Sequence, residues 1–318
     1  MVETYKDLLN NYVTGNDEDI KWRNEIMEVK RLHPECISCM TKVHLDKCPK
    51  EMPEEKKVEY MQRVLKVLAE APERFGAPVI VRTINAIQDE MFGIMQKYDE
   101  IKKHYNQVMM GHEEQVHKKV AQSQDPVKTG IQYAMIGNYI DFGARINVNE
   151  EQLTELLNDS ERFSIDEKQY SELTEDLKKA HKLVYLTDNC GEIVMDKILI
   201  REIQKKYPNL EITILVRGAE VINDATMEDA IQVGLTNMAK VISNGTDIAG
   251  TWLEELSEEA KEVFESADVI ISKGQGNFET LRKCGKNIYY IFLCKCDLFA
   301  NTFQVPKLTG MLINEKYC

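Results

Sequence analysis

The chain has 318 residues, of which 43% are hydrophobic and 29% are charged, a composition typical of a soluble globular protein with a substantial core. The 53 acidic residues outnumber the 40 basic ones and give a formal net charge of -13, which argues against non-specific binding to nucleic acids or anionic membranes. No secretory signal is visible and the longest apolar run, Ile288 to Cys294, is too short to span a bilayer, so we expect a cytoplasmic protein without membrane or nucleic-acid partners.

The first part of the chain, up to about residue 170, has the periodicity of helices. Between Glu54 and Ala71 the apolar residues recur at helical spacing, at Val58, Met61, Val64, Leu65 and Leu68. Pro72, Gly76 and Pro78 then interrupt the pattern. Further helices are predicted over 79–105, 130–140, 149–158 and 166–182.

Short β-branched runs follow from Lys182 onwards and alternate with helical stretches. Strands are predicted at 183–187, 212–216, 240–243, 268–272 and 287–293. Strands separated by intervening helices indicate βαβ units and a parallel sheet. We therefore predict an α/β fold in which a helical N-terminal domain, residues 1–177, packs on a mostly parallel three-layer α/β domain, residues 178–318.

Polar side chains follow the first two predicted strands at the point where each strand ends. Asp188 and Asn189 come directly after the first strand, and Asn223 and Asp224 follow the second. Ligands bind at this edge of open α/β sheets, and oxygen ligands of this kind suit Mg²⁺ or Mn²⁺. We therefore predict a divalent-cation site formed by Asp188, Asn189 and Asp224. The alternative is that these residues cap the helices that follow.

A glycine-rich loop, Lys273 to Asn277, follows the fourth predicted strand. It is not a dinucleotide-binding fingerprint, because Glu279 stands where the third glycine should be, and the chain has no Walker A motif. Lys273 with Gly274 and Gly276 is instead predicted to hold a phosphate group. The alternative is a solvated lysine in a tight turn.

Other candidate residues lie near these strand ends. Glu192 opens the helix after the first strand, where backbone N–H groups receive anions, although it also suits a first-turn acid that complements the helix dipole. Arg217 follows the second strand. In the helical half, Asn138 and Asp141 are candidates to line the cleft.

A second candidate metal site is the series Cys36-x₂-Cys39-x₄-His44-x₃-Cys48. Its final gap is one residue shorter than in a zinc knuckle, and the knuckle's turn glycine and aromatic residues are absent. We therefore expect packed thiols, with structural zinc as the alternative. The eight cysteines of the chain are expected to be reduced thiols or metal ligands.

Three long segments, residues 185–193, 216–226 and 272–279, resemble the motifs of the metal-dependent damage-control phosphatases, a family long catalogued as domain of unknown function 89. Residues 137–143 and the early Cys36-x₂-Cys39 look like features of its stand-alone prokaryotic branch. Two positions depart from the family pattern. Cys190 stands where a small residue such as alanine is expected and predicts sensitivity to oxidation. Glu220 replaces an apolar residue or proline and predicts an altered substrate preference.

The resemblance implies hydrolysis of small phosphomonoesters, such as sugar phosphates or damaged phosphometabolites. It implies Mg²⁺ or Mn²⁺ held by Asp188, Asn189 and Asp224, with Co²⁺ and Ni²⁺ as further candidates. The predicted catalytic residues are Asp188, Lys273 and Glu192. The predicted substrate-binding residues are Asn138, Asp141, Arg217, Gly274 and Gly276. Either a metal-bound water or a carboxylate serves as the nucleophile.

Two other classes of protein fit parts of the sequence. An adenosyl-methionine-dependent methyltransferase also combines a sheet with glycine loops, but it would not depend on a metal or on Asp224. A non-catalytic metabolite-binding protein would use Cys36, Cys39 and Cys48 to hold a metal for contact with a partner. The sequence carries no sign of the physiological substrate or of the oligomeric state.

Overall fold

The computed structural model of the protein describes residues 31–93, 98–139, 150–159 and 163–318. Its first part is helical, with helices Pro34–Asp46 (α1), Glu54–Glu70 (α2), Ala77–Phe92 (α3), Asp99–Gln122 (α4), Pro126–Gly137 (α5), Glu150–Asn158 (α6) and Glu167–Lys179 (α7). The helix predicted over 54–71 is confirmed. The pattern over 79–105 belongs to two helices, because Gly93 ends α3 with a φ of 75°. Within these ranges no helix is both long enough and apolar enough to cross a membrane.

A six-stranded sheet forms the second part of the chain. Its strands are Lys182–Leu186 (β1), Glu211–Val216 (β2), Lys240–Ser243 (β3), Val269–Lys273 (β4), Ile288–Leu293 (β5) and Gly310–Asn314 (β6). Their spatial order is β3-β2-β1-β4-β5-β6, and neighbours are parallel except for β5 and β6, which are antiparallel. The five predicted strands and their parallel pairing are confirmed. The edge strand β6 was not predicted, because its apolar run is only three residues long.

Helices cover both faces of the sheet, so the predicted three-layer α/β fold is confirmed. They are Glu192–Lys206 (α8), Met227–Gln232 (α9), Glu258–Glu265 (α10), Gln275–Leu281 (α11) and Asp297–Phe303 (α12), with 3₁₀ turns at Leu235–Asn237, Leu253–Glu255 and Glu315–Tyr317. Successive side chains of a strand point to opposite faces. Accordingly Leu183 and Tyr185 pack in one core cluster with α8, whereas Val184 and Leu186 pack in another with α10 and α11.

The helical half is packed closely against the α/β half through α5 and α8. A Cβ atom at Gly130 would lie 3.2 Å from Leu199 Cδ1, and one at Gly137 would lie 3.1 Å from Glu192 Cα. The absence of side chains at these two glycines therefore lets the helices approach each other. One core cluster contains residues from both halves. The domain boundary between residues 177 and 178 therefore stays a prediction.

The strand order has a switch point between β1 and β4. From β1 the chain proceeds outward to β2 and β3, and it then returns to β4 on the other side of β1. Loops that leave the two central strands at this point diverge and leave a crevice at the carboxyl edge of the sheet. The crevice is bordered by the loop from Thr187 to Gly191 and by Gly274, with the C-terminal end of α5 nearby.

Candidate active site

The loops that follow β1 and β2 run side by side at this crevice. Asn189 and Asp224 form an isolated antiparallel bridge, and the Ala225 N–H donates a 2.7 Å hydrogen bond to the main-chain oxygen of Asp188. The three predicted metal ligands therefore lie together, and each is at most 7% exposed. The prediction that the carboxyl ends of β1 and β2 lie next to each other is confirmed.

The Asp188 carboxylate is held by side chains from three residues. Its Oδ2 accepts hydrogen bonds from Asn138 Nδ2 at 2.9 Å and Asn189 Nδ2 at 2.7 Å, and its Oδ1 lies 3.5 Å from Arg217 Nη2. Burial, followed by the charges of two neighbouring carboxylates, raises the pKa of Asp188 well above its ordinary value. The nearby positive side chains therefore do not fully compensate a negative charge on Asp188.

Arg217 is held between the acids by a second set of contacts. Its Nε donates to Asp224 Oδ2 at 2.6 Å, and its Nη1 donates to Asn277 Oδ1 at 3.1 Å. The same Asn277 oxygen accepts from the Thr251 hydroxyl at 2.8 Å, and Asn277 Nδ2 donates to the Thr187 carbonyl at 3.0 Å. Asn277 was predicted only as part of the glycine-rich loop and Thr251 was not predicted, because these supporting contacts come from separate loops.

Glu192, the first residue of α8, is wholly buried beside Asp188. Its Oε2 accepts from Asn138 Nδ2 at 2.8 Å and from Asn189 Nδ2 at 2.9 Å. Two amide side chains thus bridge Asp188 and Glu192. Glu192 is therefore an internal part of the site and not an exposed acid that only complements the helix dipole.

Lys273 requires a correction to the sequence analysis. It is the last residue of β4 and wholly buried, and its Nζ donates to Ala134 O at 3.0 Å, Glu192 Oε1 at 2.5 Å and Asp196 Oδ1 at 2.8 Å. These contacts use all three N–H donors of the ammonium group. Burial opposes the charge, but the two carboxylates outweigh it and raise the pKa of Lys273. Lys273 is neither a solvated turn lysine nor a group that extends from the loop towards a phosphate; it holds Glu192 in place.

The glycines of the loop after β4 make room for other groups. Gly274 has a φ of 81°, and a Cβ atom there would lie 1.9 Å from Asp188 Oδ2. A Cβ atom at Gly276 would lie 2.2 Å from Ala249 O. The loop therefore needs glycine for close packing around Asp188, whereas phosphate contacts by Gly274 and Gly276 stay a prediction.

Six ionisable side chains, each at most 7% exposed, form the centre of the site: Asp188, Glu192, Asp196, Asp224, Arg217 and Lys273. When all are ionised, four negative and two positive charges leave a net charge of -2. Burying an uncompensated charge is costly, so the site favours either proton uptake or a bound cation. Asp196, which the sequence analysis missed, accepts a further 2.7 Å hydrogen bond from Tyr185 OH.

The residues present fit a small divalent cation. The rim offers the carboxylates of Asp188 and Asp224 and the amide of Asn189. No group of three or more His, Cys, Asp and Glu side chains in the described ranges is arranged to hold a metal on its own. Mg²⁺ suits such an incomplete set, because it retains waters and binds through one or two carboxylates together with a substrate phosphate.

Two further predicted residues have different outcomes. Asn138 is wholly buried, and its Oδ1 accepts a 3.1 Å hydrogen bond from Leu293 N, so it joins the helical half to the site. Asp141 lies outside the described residues.

The two departures from the family pattern lie beside the site. Cys190 is wholly buried, and burial raises the pKa of its thiol, which disfavours the reactive thiolate and argues against the expected sensitivity to oxidation. Glu220 is half exposed and accepts two 3.0 Å hydrogen bonds from Lys102 Nζ. Its effect on substrate preference stays a prediction.

The cysteine and histidine series lies on and just after α1. Cys36 and Cys48 are half-buried and Cys39 is exposed, whereas His44 is buried with its Nδ1 2.8 Å from Tyr60 OH. In the described part of the chain, these side chains do not form a three-ligand metal site. The geometry favours packed side chains over structural zinc.

The fold and the site define an α/β protein with a buried, acid-rich centre at the switch point of its sheet, the place where open α/β sheets bind their ligands. Residues 32–309 match the damage-control phosphatase ARMT1-like domain, and the chain belongs to this family. Family membership supports a phosphatase, and therefore a hydrolase, role.

Relatives with curated names come from archaea. Damage-control phosphatase PH1575 of Pyrococcus horikoshii is 40% identical over 190 residues, which are 59% of this chain and 64% of that protein, so the alignment spans less than two thirds of the relative. A damage-control phosphatase of Archaeoglobus fulgidus is 32% identical over 248 residues, 76% of this chain and 84% of the relative. Uncharacterized protein MJ0202 of Methanocaldococcus jannaschii is 32% identical over 308 residues, 93% of this chain and 98% of the relative.

A solved structure has the same fold. The crystal structure of the DUF89 family protein PH1575 from Pyrococcus horikoshii superposes with a TM-score of 0.74 at 30% identity. The superposition covers 91% of this chain and 100% of that chain. The resemblance noted in the sequence is thereby confirmed at the level of family and fold.

We expect Gly274→Ala to abolish most phosphatase activity, because the new methyl group would displace the Asp188 carboxylate. Displacements of about 1 Å at a reacting centre cost on the order of 100-fold in rate. Gly285→Ala is the matched control, since Gly285 also has a positive φ, 79°, but no atom lies within 4 Å of its Cβ position. Steady-state hydrolysis and urea unfolding of both variants test this account, and equal activity of the two variants would contradict it.

Lys273→Met should destabilise the fold by about 3–5 kcal/mol, because it leaves two buried carboxylates without their cation. The control is Lys307→Met, whose partner Asp297 is 74% exposed, and there we expect about 1 kcal/mol or less. The free energy of unfolding in urea distinguishes the two. A Lys273→Met variant as stable as the wild type but with reduced turnover would instead support direct contact with phosphate.

His44 should make folding stability depend on pH. Burial, with a smaller effect of Lys47, lowers the pKa of His44 to about 4, against about 6.5 in the unfolded chain. Below pH 6.5 the unfolded state takes up a proton that the folded state does not, so stability is lost as the pH falls towards 4. Between pH 7 and 5 we expect the wild type to lose about 2 kcal/mol more than His44→Gln. Parallel pH profiles in urea unfolding would refute a buried neutral histidine.

Proposed function

We propose that this protein is a divalent-metal-dependent phosphatase that hydrolyses small phosphomonoesters, namely sugar phosphates or damaged phosphometabolites. The observation that carries the proposal is the set of four carboxylates and two cations buried together, among the described residues, at the switch point of the sheet, with a formal charge of -2 when all six are ionised. A divalent cation supplies the missing positive charge. Phosphoryl transfer depends mainly on positioning and on electrostatic stabilisation, which is what such a site provides.

Asp188, Asn189 and Asp224 would hold the cation, Mg²⁺ or Mn²⁺, with Co²⁺ and Ni²⁺ as further candidates. When bound, the cation supplies Lewis-acid stabilisation of the charge on a phosphate oxygen. The remaining groups of the chain hold these ligands. Asn138 and Asn189 share hydrogen bonds between Asp188 and Glu192, and Lys273 fixes Glu192 from the other side.

Arg217 and Lys295 are the cations that we assign to the phosphate. Burial has the largest effect on the pKa of Asp188 and raises it. The positive charges of Arg217 and Lys295 lower it, so both side chains lie close enough to influence that carboxylate. Lys295 is partly exposed, follows β5, and its main-chain N–H donates to Gln275 Oε1 at 3.2 Å, which places it beside the glycine loop. These residues take the role that the sequence analysis gave to Lys273.

Asp188→Asn is expected to separate activity from stability. It should lower turnover at least 100-fold, equivalent to about 2.7 kcal/mol, because an anionic metal ligand becomes neutral. In EDTA its melting temperature should equal or exceed that of the wild type, since one undercompensated buried charge is removed. Added Mn²⁺ should raise the melting temperature of the wild type but not of the variant.

The measurements are thermal melting and hydrolysis of p-nitrophenyl phosphate and a panel of sugar phosphates, with Mg²⁺, Mn²⁺, Co²⁺ or Ni²⁺ restored after EDTA treatment. Asp297→Asn is the control, because that carboxylate is 74% exposed on the surface. Full turnover by the wild type in excess EDTA would rule out the proposed metal dependence. If the protein binds no metal and hydrolyses none of these phosphate esters, the result would favour the methyltransferase alternative.

A further inference from the structure

The loop between Asp188 and α8 contains a γ-turn of the rarer kind. Gly191 has φ 69° and ψ -50°, and the Glu192 N–H donates to the Cys190 carbonyl, two residues earlier, at 2.7 Å. The γ-turn with positive φ is uncommon, and glycine reaches it readily because it has no Cβ atom. The placement of the turn therefore depends on its contacts with the rest of the protein.

This turn determines how the acids of the site face each other. It reverses the chain between Asn189 and Glu192, so that Glu192 Oε2 accepts from the Asn189 main-chain N–H at 3.3 Å and from its side-chain Nδ2 at 2.9 Å. Asp188 accepts from the same Asn189 Nδ2 at 2.7 Å. If the turn relaxed, Glu192 and Asp188 would no longer share the Asn189 amide, and the Asn138 amide would be left as the bridge between them.

One group that holds the turn comes from the helical half and acts beside the 2.8 Å hydrogen bond that the Cys190 N–H donates to the Asn223 carbonyl. Asn106, on α4, is wholly buried, and its Oδ1 accepts the Gly191 N–H at 2.7 Å. Its Nδ2 donates to Asp229 Oδ1 and to Gln232 Oε1, both at 2.8 Å. These three hydrogen bonds fix the amide plane of Asn106, so its oxygen is already directed at Gly191.

The same contacts reach the second loop of the site. Asp229 Oδ2 accepts from Thr226 N at 2.8 Å and lies 2.8 Å from Lys102 Nζ, which also comes from α4. Thr226 is two residues after Asp224. Through Asn106 and Lys102, α4 therefore holds both the Gly191 turn and the segment that follows Asp224.

We propose that Asn106 is a positioning residue of the active site, which holds the γ-turn at Gly191 and thereby the relative placement of Asp188, Asn189 and Glu192. The inference rests on the function proposed above only for its effect on turnover. Its structural part, protection of the Gly191 amide by Asn106, is measurable without metal or substrate.

The first test compares Asn106→Leu with Gln232→Leu. Asn106→Leu keeps the branching at Cγ but removes the acceptor for Gly191, whereas Gln232→Leu removes one Asn106 contact and leaves the Gly191 bond intact. Hydrogen–deuterium exchange of the metal-free proteins should show at least tenfold faster exchange at residues 188–193 in Asn106→Leu only, with β1 and β4 unchanged. With Mn²⁺ and p-nitrophenyl phosphate, kcat should fall about 10–100-fold, the usual cost of losing a group that orients metal ligands.

The second test exchanges the amide and the acid. Asn106→Asp alone brings two carboxylates into contact. Asp229→Asn alone replaces the carboxylate that accepts from Thr226 and Lys102 with an amide whose oxygen is not oriented towards them. The double variant, Asn106→Asp with Asp229→Asn, restores the contacts among Gly191, residue 106 and residue 229, whereas the Gln232 amide, whose Oε1 accepts from Asn106 in the wild type, has to turn over. A carboxylate oxygen at position 106 accepts from the Gly191 N–H, and the new amide at position 229 donates to the other oxygen. We expect kcat and exchange protection to recover in the double variant to within about tenfold of the wild type.

The outcomes separate this inference from the proposed function. If Asn106→Leu leaves exchange at residues 188–193 unchanged, or if the exchanged pair stays as impaired as its worse single variant, the positioning role is refuted. If the wild type shows neither Mn²⁺ binding nor turnover while Asn106→Leu still loses protection, the proposed function fails and the structural inference stands. Should Asn106→Leu fail to fold, the comparison within the exchanged pair decides.

Discussion

The site depends on one electrostatic constraint: among the described residues, four carboxylates and two cations are buried together at the switch point between β1 and β4. At an effective dielectric constant of 20, two unit charges 4 Å apart interact by about 4 kcal/mol, so keeping all four acids ionised without a further cation opposes folding. The amide side chains of Asn138 and Asn189 orient Asp188 and Glu192, and that of Asn277 holds Arg217, so these groups supply donors and acceptors without adding charge. An arrangement of this kind is suited to receiving a cation.

Both halves of the chain are needed to build this centre. The α/β half supplies the charged groups, because they lie at strand ends and at the start of α8. The helical half supplies neutral hydrogen-bonding groups that fix them, Asn138 at the end of α5 and Asn106 on α4. Close approach of α5 to α8 at Gly130 and Gly137 brings the first of these into range. Packing between the halves is therefore a condition for the site and not only a contribution to stability.

The sequence predicted the parts that follow from local rules. Strand ends of a parallel sheet share one edge, which was sufficient to bring the three predicted metal ligands together. The same rule misplaced Lys273, which is still within β4; alternation puts it on the face of Ile271, towards α8, and this pattern was readable from the sequence. The roles of Asn106 and Thr251 were not readable, because they depend on how separate segments dock, for which no local pattern exists.

The most direct test of the central claim is anomalous X-ray diffraction from crystals of the protein grown or soaked with Mn²⁺. The account predicts one strong manganese peak at the carboxyl edge of the sheet, in contact with the carboxylates of Asp188 and Asp224. A peak at Cys36, Cys39 and Cys48 with none at the sheet edge would contradict it. So would full occupancy of the protein by substrate phosphate at that edge with no metal bound in the presence of excess Mn²⁺.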